Sequence, residues 1–156
     1  MLKIKLQKYF NFLFVGIAIA TAINFLAIQP TVAQSLSGNR EEIIKMVERQ
    51  ARAWESQDVA GIVDDFASDA VFIAAGFRFD GREQIAKAAR DYFQKFHRTS
   101  VEIKRIVIDD NKGAVEWDWR DRDRKSNKEG FAEDAIVFEL ENGKIVYWRE
   151  YIEKKV

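Results

Sequence analysis

Residues Phe131 to Ile152 read FAEDAIVFELENGKIVYWREYI, and the fold turns on how this stretch pairs with itself. Two runs rich in β-branched and aromatic residues flank Asn142-Gly143, the strongest short hairpin signal, because both residues tolerate the positive φ of a tight turn. A two-residue turn there predicts that Glu141 pairs with Lys144 and Leu140 with Ile145. Continued without a break, the register sets Val137 opposite Trp148, Ala135 opposite Glu150 and Glu133 opposite Ile152, all on one sheet face. Asp134, Ile136, Phe138, Tyr147, Arg149 and Tyr151 share the other face. Both faces are substantially apolar, so both are expected to be covered, one by helices and one by a partner subunit.

Upstream the same period of two recurs. Val101–Ile108 and Ala114–Arg120 alternate around the turn Asp109–Gly113, with Trp117 and Trp119 on one side. Lys125–Gly130 is polar and reads as a loop. Before His97 the period is helical. Asn39 followed by Glu42 resembles an N-cap pair, and Ile43, Ile44, Val47, Ala51 and Trp54 follow at helical spacing to about Gln57. Asp58 can cap a short second helix with Val59, Ile62, Val63 and Phe66 on its apolar side. Asp69–Ala74 reads as a strand and Gly76–Gly81 as a tight connection. Asp80 with Glu83 repeats the capping pattern ahead of a third helix marked by Ile85, Ala88, Ala89, Tyr92, Phe93 and Phe96. Three helices, one early strand and a long antiparallel meander give an α+β fold, with helices on one face of a curved, mostly antiparallel sheet.

The N-terminus reads as an address. Lys3, Lys5 and Lys8 precede the apolar run Phe12–Ile28, Pro30 breaks any helix, and Thr31-Val32-Ala33 offers small residues to a signal peptidase. Residues 1–33 are thus expected to be a signal peptide cleaved near Ala33, 34–39 a linker and 40–156 the mature domain, either periplasmic or secreted. A retained anchor is the competing reading, although the run is only 17 residues and Asn24 interrupts it.

Composition excludes several function classes. The 25 basic and 25 acidic side chains balance, but the address takes three lysines and no acid, so the rest is mildly acidic. Without a basic stripe it is not expected to bind nucleic acid, nor a membrane beyond the export signal. Cysteine is absent, which removes disulfides, thiolate metal sites and thiol nucleophiles. His97 is the only histidine, so a His-based metal site is excluded. Its place in the last turn of the third helix suits the helix dipole. The acidic pairs Asp64-Asp65 and Asp109-Asp110 lack a calcium-loop pattern, and no glycine-rich phosphate loop or other cofactor motif occurs.

Several pieces together resemble the SnoaL-like branch of the nuclear-transport-factor-2-like superfamily. They are Trp54 before Asp58, Asp65-Phe66-Ala67-Ser68-Asp69-Ala70-Val71-Phe72, Asp80-Gly81-Arg82-Glu83-Gln84-Ile85, Glu116-Trp117, Asn142-Gly143-Lys144-Ile145 and Trp148-Arg149-Glu150-Tyr151. The resemblance spans about residues 40–153. It implies a cone-shaped half-barrel, a pocket between sheet and helices, and frequent homodimers. Its members include isomerases, cyclases, epoxide hydrolases and domains that only bind, so fold does not settle function.

Similarity to ketosteroid isomerases, counted from the hairpin glycine, puts Val146, Trp148, Glu150 and Ile152 on the concave side. With Trp117 and Trp119 this predicts a cavity walled by Trp54, Phe72, Trp117, Trp119, Ala135, Val137, Trp148 and Ile152. An apolar or aromatic small molecule would fit such walls. Glu150 is the first candidate catalytic acid and Glu133 the second; Asp134 replaces Glu133 if the register shifts by one. A carboxylate there would be desolvated, which raises its pKa towards the range of a neutral-pH acid or base. The alternative is a structural Glu150 paired with Arg82 or Arg90. Ketosteroid isomerisation is disfavoured: Asp69-Ala70 leads to Ala74 where that family has its base, and its second acid aligns near Ala135. The acid-Arg-acid set of the epoxide hydrolases is not evident. Any chemistry would therefore be cofactor-free, and a dimeric scaffold without ligand stays open as a third reading.

Overall fold

The structure is a computed structural model that describes residues 29–155, with side chains from Asn39 onward. The chain divides into two units, Met1–Gly38 and Asn39–Val156. Of the first, only residues 29–38 are described, and their backbone is helical. The expected signal segment lies mostly outside the described residues. Helix α1 spans Gln29–Ser56, which corrects two expectations. Pro30 sits in the first turn, where its missing N–H loses no helical bond, and residues 34–39 are helical rather than a linker. Asn39 is then not an N-cap; its side-chain amide donates to the Asp110 carbonyl at 3.4 Å. No described helix is long and apolar enough to cross a membrane.

Within the second unit, Ile43, Met46, Val47, Gln50, Ala51 and Trp54 form the buried stripe of α1, at the spacing that lines one helical face. Asp58 caps α2 (Val59–Asp64), accepting from the Gly61 amide. Helix α3 (Gly81–Lys95) buries Ile85, Ala89 and Phe93. Its expected cap differs in detail. The Asp80 carboxylate pairs with Arg78, and Gln84 reaches back to accept from the Asp80 amide at 3.2 Å.

Six strands follow the order β2-β1-β6-β5-β4-β3: β1 Phe66–Ala74, β2 Phe77–Asp80, β3 Phe96–Asp109, β4 Lys112–Asp123, β5 Glu129–Glu141 and β6 Lys144–Lys154. All neighbours are antiparallel except β1 and β6, which run parallel. The three helices and this curved, mostly antiparallel sheet make the α+β cone that the sequence predicts. Strand β2 is the addition. The stretch expected as a bare connection turns at Ala75 and Gly76, both with positive φ, and sets Phe79 opposite Phe72. His97 lies in β3, not in the last turn of α3, so it does not serve the helix dipole.

The meander holds the decisive difference. Asn142 and Gly143 both have positive φ, at 51° and 74°, as the turn requires, and Glu141 pairs with Lys144 and Leu140 with Ile145. Then Val146 bulges. Glu139 pairs with Tyr147, Phe138 with Trp148, Ile136 with Glu150 and Asp134 with Ile152. The physical reason lies in β6 itself. Ile145 and Trp148 are both buried, at 0% and 1% exposure, but positions three apart point to opposite faces of a regular strand. One extra residue returns them to the same face.

Candidate functional site: an aromatic cavity floored by two acids

The bulge settles which side chains look inward. Ala132, Asp134, Ile136, Phe138 and Leu140 of β5 are buried, while Glu133, Ala135 and Val137 are exposed. Three expected site residues are therefore corrected. Glu133 is on the outer face and holds Lys155 at 2.8 Å. Ala135 and Val137 face outward beside it, because the register moved by one. Asp134 takes the inward place.

Between sheet and helices lies a cavity of about 480 Å³, within the usual size range for small-molecule sites. Trp54 of α1, Phe72 of β1, Trp119 of β4 and Ile152 of β6 line it, as do Phe77 and Phe79 of β2, Tyr92 of α3 and Phe131 of β5. Trp117 and Trp148 do not line it. Both are about 1% exposed and pack against each other with tilted rings, their centroids 5.9 Å apart. Trp148 also stacks on Phe138 and meets Phe66 at a steep angle. Trp54 anchors the opposite wall against Phe72, Tyr92, Phe93 and Trp119. Such pairs add about 0.5–1.5 kcal/mol each beyond their buried area, so the walls are fixed before any ligand arrives.

Asp134 and Glu150 share the floor, on diagonal positions of β5 and β6. Each is served by one neutral donor, an indole. Trp148 Nε1 donates to Glu150 Oε1 at 3.0 Å, and Trp117 Nε1 to Asp134 Oδ2 at 3.3 Å. Asp134 Oδ1 is buried and accepts nothing. Neither acid has an ion-pair partner among the described residues. Arg82, one of the cations considered for Glu150, donates instead to the Phe66 carbonyl at 2.6 Å. Asp65 shows the contrast: as buried as Asp134, it takes Arg49 at 2.8 Å and Gln50 at 3.2 Å.

Electrostatics follow from that isolation. Burial pushes the Glu150 carboxyl up from 4.5 to about 8; the Trp148 N–H opposes this and the Asp134 charge adds to it. Burial likewise raises Asp134 from 3.8 to about 6, against the Trp117 N–H and with the help of Asp118. At neutral pH the floor presents one protonated and one ionised acid, a donor beside an acceptor. A second polar cluster, which sequence reasoning missed, sits on the wall. Trp119 Nε1 donates to the Tyr92 hydroxyl at 2.8 Å, and that hydroxyl donates to Asp121 at 2.7 Å. Burial and the Asp121 carboxylate both hold the Tyr92 proton on. The mouth carries Lys95, Lys154 and Lys155. Among the described residues, no group of three or more His, Asp or Glu side chains is arranged to hold a metal ion.

Comparison with known proteins agrees with this architecture. Solved structures of the same fold include an epoxide hydrolase of the LEH-like type from M. tuberculosis, with 24% identity over 72% of this chain and 84% of that one and a TM-score of 0.64. A SnoaL-like polyketide cyclase from Jannaschia sp. CCS1 has 15% identity over 72% and 85%, TM-score 0.64. A protein with a ketosteroid isomerase-like fold from Catenulispora acidiphila DSM 44928, solved with trimethylamine, has 18% identity over 68% and 83%, TM-score 0.64. No curated protein matches the sequence closely enough to count as a relative. Residues 47–148 match the family model of the SnoaL-like domain, which is more than half of the chain and takes in α2, α3, the hairpin turn and Asp134, with Glu150 just beyond its end: the chain belongs to the SnoaL-like domain family.

Proposed function

We propose that this domain binds an apolar or aromatic small molecule in the cavity, with the ligand's polar end against Asp134 and Glu150. The observation that carries the reading is the cavity itself: about 480 Å³ of space with rigid aromatic walls and polar groups gathered at few points. Titration with small apolar compounds should quench indole fluorescence saturably, since Trp54 and Trp119 line the space. Ala88 also lines it, and Ala88→Phe should fill it and abolish quenching while the circular dichroism spectrum stays unchanged. Absence of saturable quenching across a broad set of compounds would instead favour a scaffold role.

The unequal acids favour a second reading, a cofactor-independent isomerase, lyase or hydrolase. Two carboxyls at about 8 and about 6 on one floor are an acid and a base kept apart by environment. Asp134 would take a proton and Glu150 would return one. On this reading Glu150→Gln and Asp134→Asn both stop turnover while ligand binding persists.

The basic start, apolar run and small residues before Gln34 support export with cleavage near Ala33, which N-terminal sequencing of periplasmic or secreted material checks. Val107, Val137 and Tyr151 are large apolar residues left exposed, at 54%, 42% and 52%. Val107 and Val137 lie in one cross-strand row through Ala114, and Tyr151 stands opposite Ala135 on the same face. A homodimer through this face would cover them, and Val137→Glu should then shift the sedimentation coefficient to that of a monomer.

A further inference from the structure

We propose that the ligand carries a carboxylate at its outer end, held at the mouth by Lys154 and Lys95, so that the cavity takes an amphiphilic monocarboxylate. The inference rests on the binding reading above and names the ligand's second polar group. Strand β6 sets the geometry. Glu150, Ile152 and Lys154 all line the space, and residues two apart share one face of a strand. Four residues of rise set Lys154 about 13 Å along the strand from Glu150. One strand face thus runs from a floor acid, past an apolar side chain, to a cation. The cations at that end are unspent. Lys154 is exposed and, unlike Lys155, which Glu133 and Glu153 hold at 2.8 Å each, has no acidic partner among the described residues. Lys95 lies over the Phe96 ring at 5.0 Å and has no ion-pair partner there either. Asp121, the remaining acid that lines the space, accepts the Tyr92 hydroxyl at 2.7 Å and pairs with neither lysine. The floor fixes the orientation. Asp134, raised only to about 6, is ionised above neutral pH and repels a second carboxylate. The charged end of a ligand therefore faces the lysines, while its apolar body lies on the aromatic walls.

Octanoate, 1-octanol and octylamine share one apolar body and differ in charge. Each is titrated at pH 7.5 into the full chain, followed by calorimetry and tryptophan fluorescence. Octanoate should bind about three- to ten-fold tighter than the alcohol, the range for two solvent-exposed ion pairs, and octylamine weakest. The preference should shrink in about 1 M salt, where the screening length falls to about 3 Å. Lys154→Gln and Lys95→Gln should each narrow it to about two-fold or less and leave octanol binding unchanged. Lys154→Glu should turn it in favour of octylamine. Both side chains are exposed, so the variants should keep the fold, which circular dichroism checks. Equal binding of octanoate and octanol, tighter binding of octylamine, or a preference that survives both lysine variants overturns the carboxylate assignment and leaves the cavity reading standing. Failure of all three compounds to bind overturns both.

Discussion

Replacing Glu150 by Gln should make the domain more stable above pH 8 and leave it little changed near pH 5. The carboxyl goes from 4.5 in the open chain to about 8 in the folded protein, so the folded state holds its proton more tightly. Between those values the native state binds more protons than the unfolded state, and stability falls as pH rises. At about 1.36 kcal/mol for each tenfold change in proton affinity, the full interval corresponds to about 5 kcal/mol lost by pH 9. That is a ceiling, because Glu150 is half-buried and water in the cavity can solvate its charge. Gln keeps the shape and accepts from Trp148 Nε1, but it carries no proton to lose. Urea denaturation of both proteins at pH 5.5, 7 and 9 measures the difference directly. The gap should widen with pH to at least about 2 kcal/mol, equivalent to several degrees in Tm for a domain of this size. Parallel curves for the two proteins across that range would refute the burial of Glu150 on which the acid–base reading depends.

Other perturbations probe the neighbouring contacts. Tyr92→Phe removes the hydroxyl between Trp119 and Asp121 and leaves both without a partner, so unfolding free energy should drop by about 1–3 kcal/mol in urea. Gly113→Ala places a methyl against the Phe138 ring and 2.6 Å from the Val107 carbonyl. Because backbone cannot swing away, Tm should fall, with a loss of about 1–3 kcal/mol. Trp148→Phe removes the one N–H that favours the ionised form of Glu150. Carbon-detected NMR of the carboxyl should then place its titration above the wild-type midpoint of about 8.

Much of the architecture was legible because it rests on local periodicity. The helices announce themselves through Ile43, Val47 and Trp54 or Ile85, Ala89 and Phe93, and Asn142-Gly143 fixes the hairpin turn. The candidate site was half legible. Glu150 keeps its inward position because it has the same parity as Trp148, whichever strand it faces. Glu133 gave way to Asp134 because a single bulged residue inverts every assignment beyond it on the partner strand. The signal was present: Ile145 and Trp148 are both large and apolar at an odd spacing, and a strand that must bury both cannot be regular. Strand β2 was hidden for another reason. Four residues between two turns are too short for alternation to show, and Phe77-Arg-Phe-Asp declares itself only once Phe79 has Phe72 to stack on.

The treatment of buried acids in this chain is uneven. Asp65 is neutralised by Arg49 and hydrogen-bonded by Gln50, adjacent residues of α1 that reach it from a neighbouring element. Nothing comparable serves the floor acids, although Arg82 and Lys155 lie on adjoining elements and are bound to a carbonyl and to outer-face carboxylates instead. An apolar pair at positions 134 and 150 would close the core without any unpaired oxygen, and replacing buried charged groups by well-packed apolar ones is often neutral or stabilising. Keeping two acids there, one with a buried oxygen that accepts no bond, is a local loss of stability beside an open space. That loss sits where the polar end of the proposed ligand would lie.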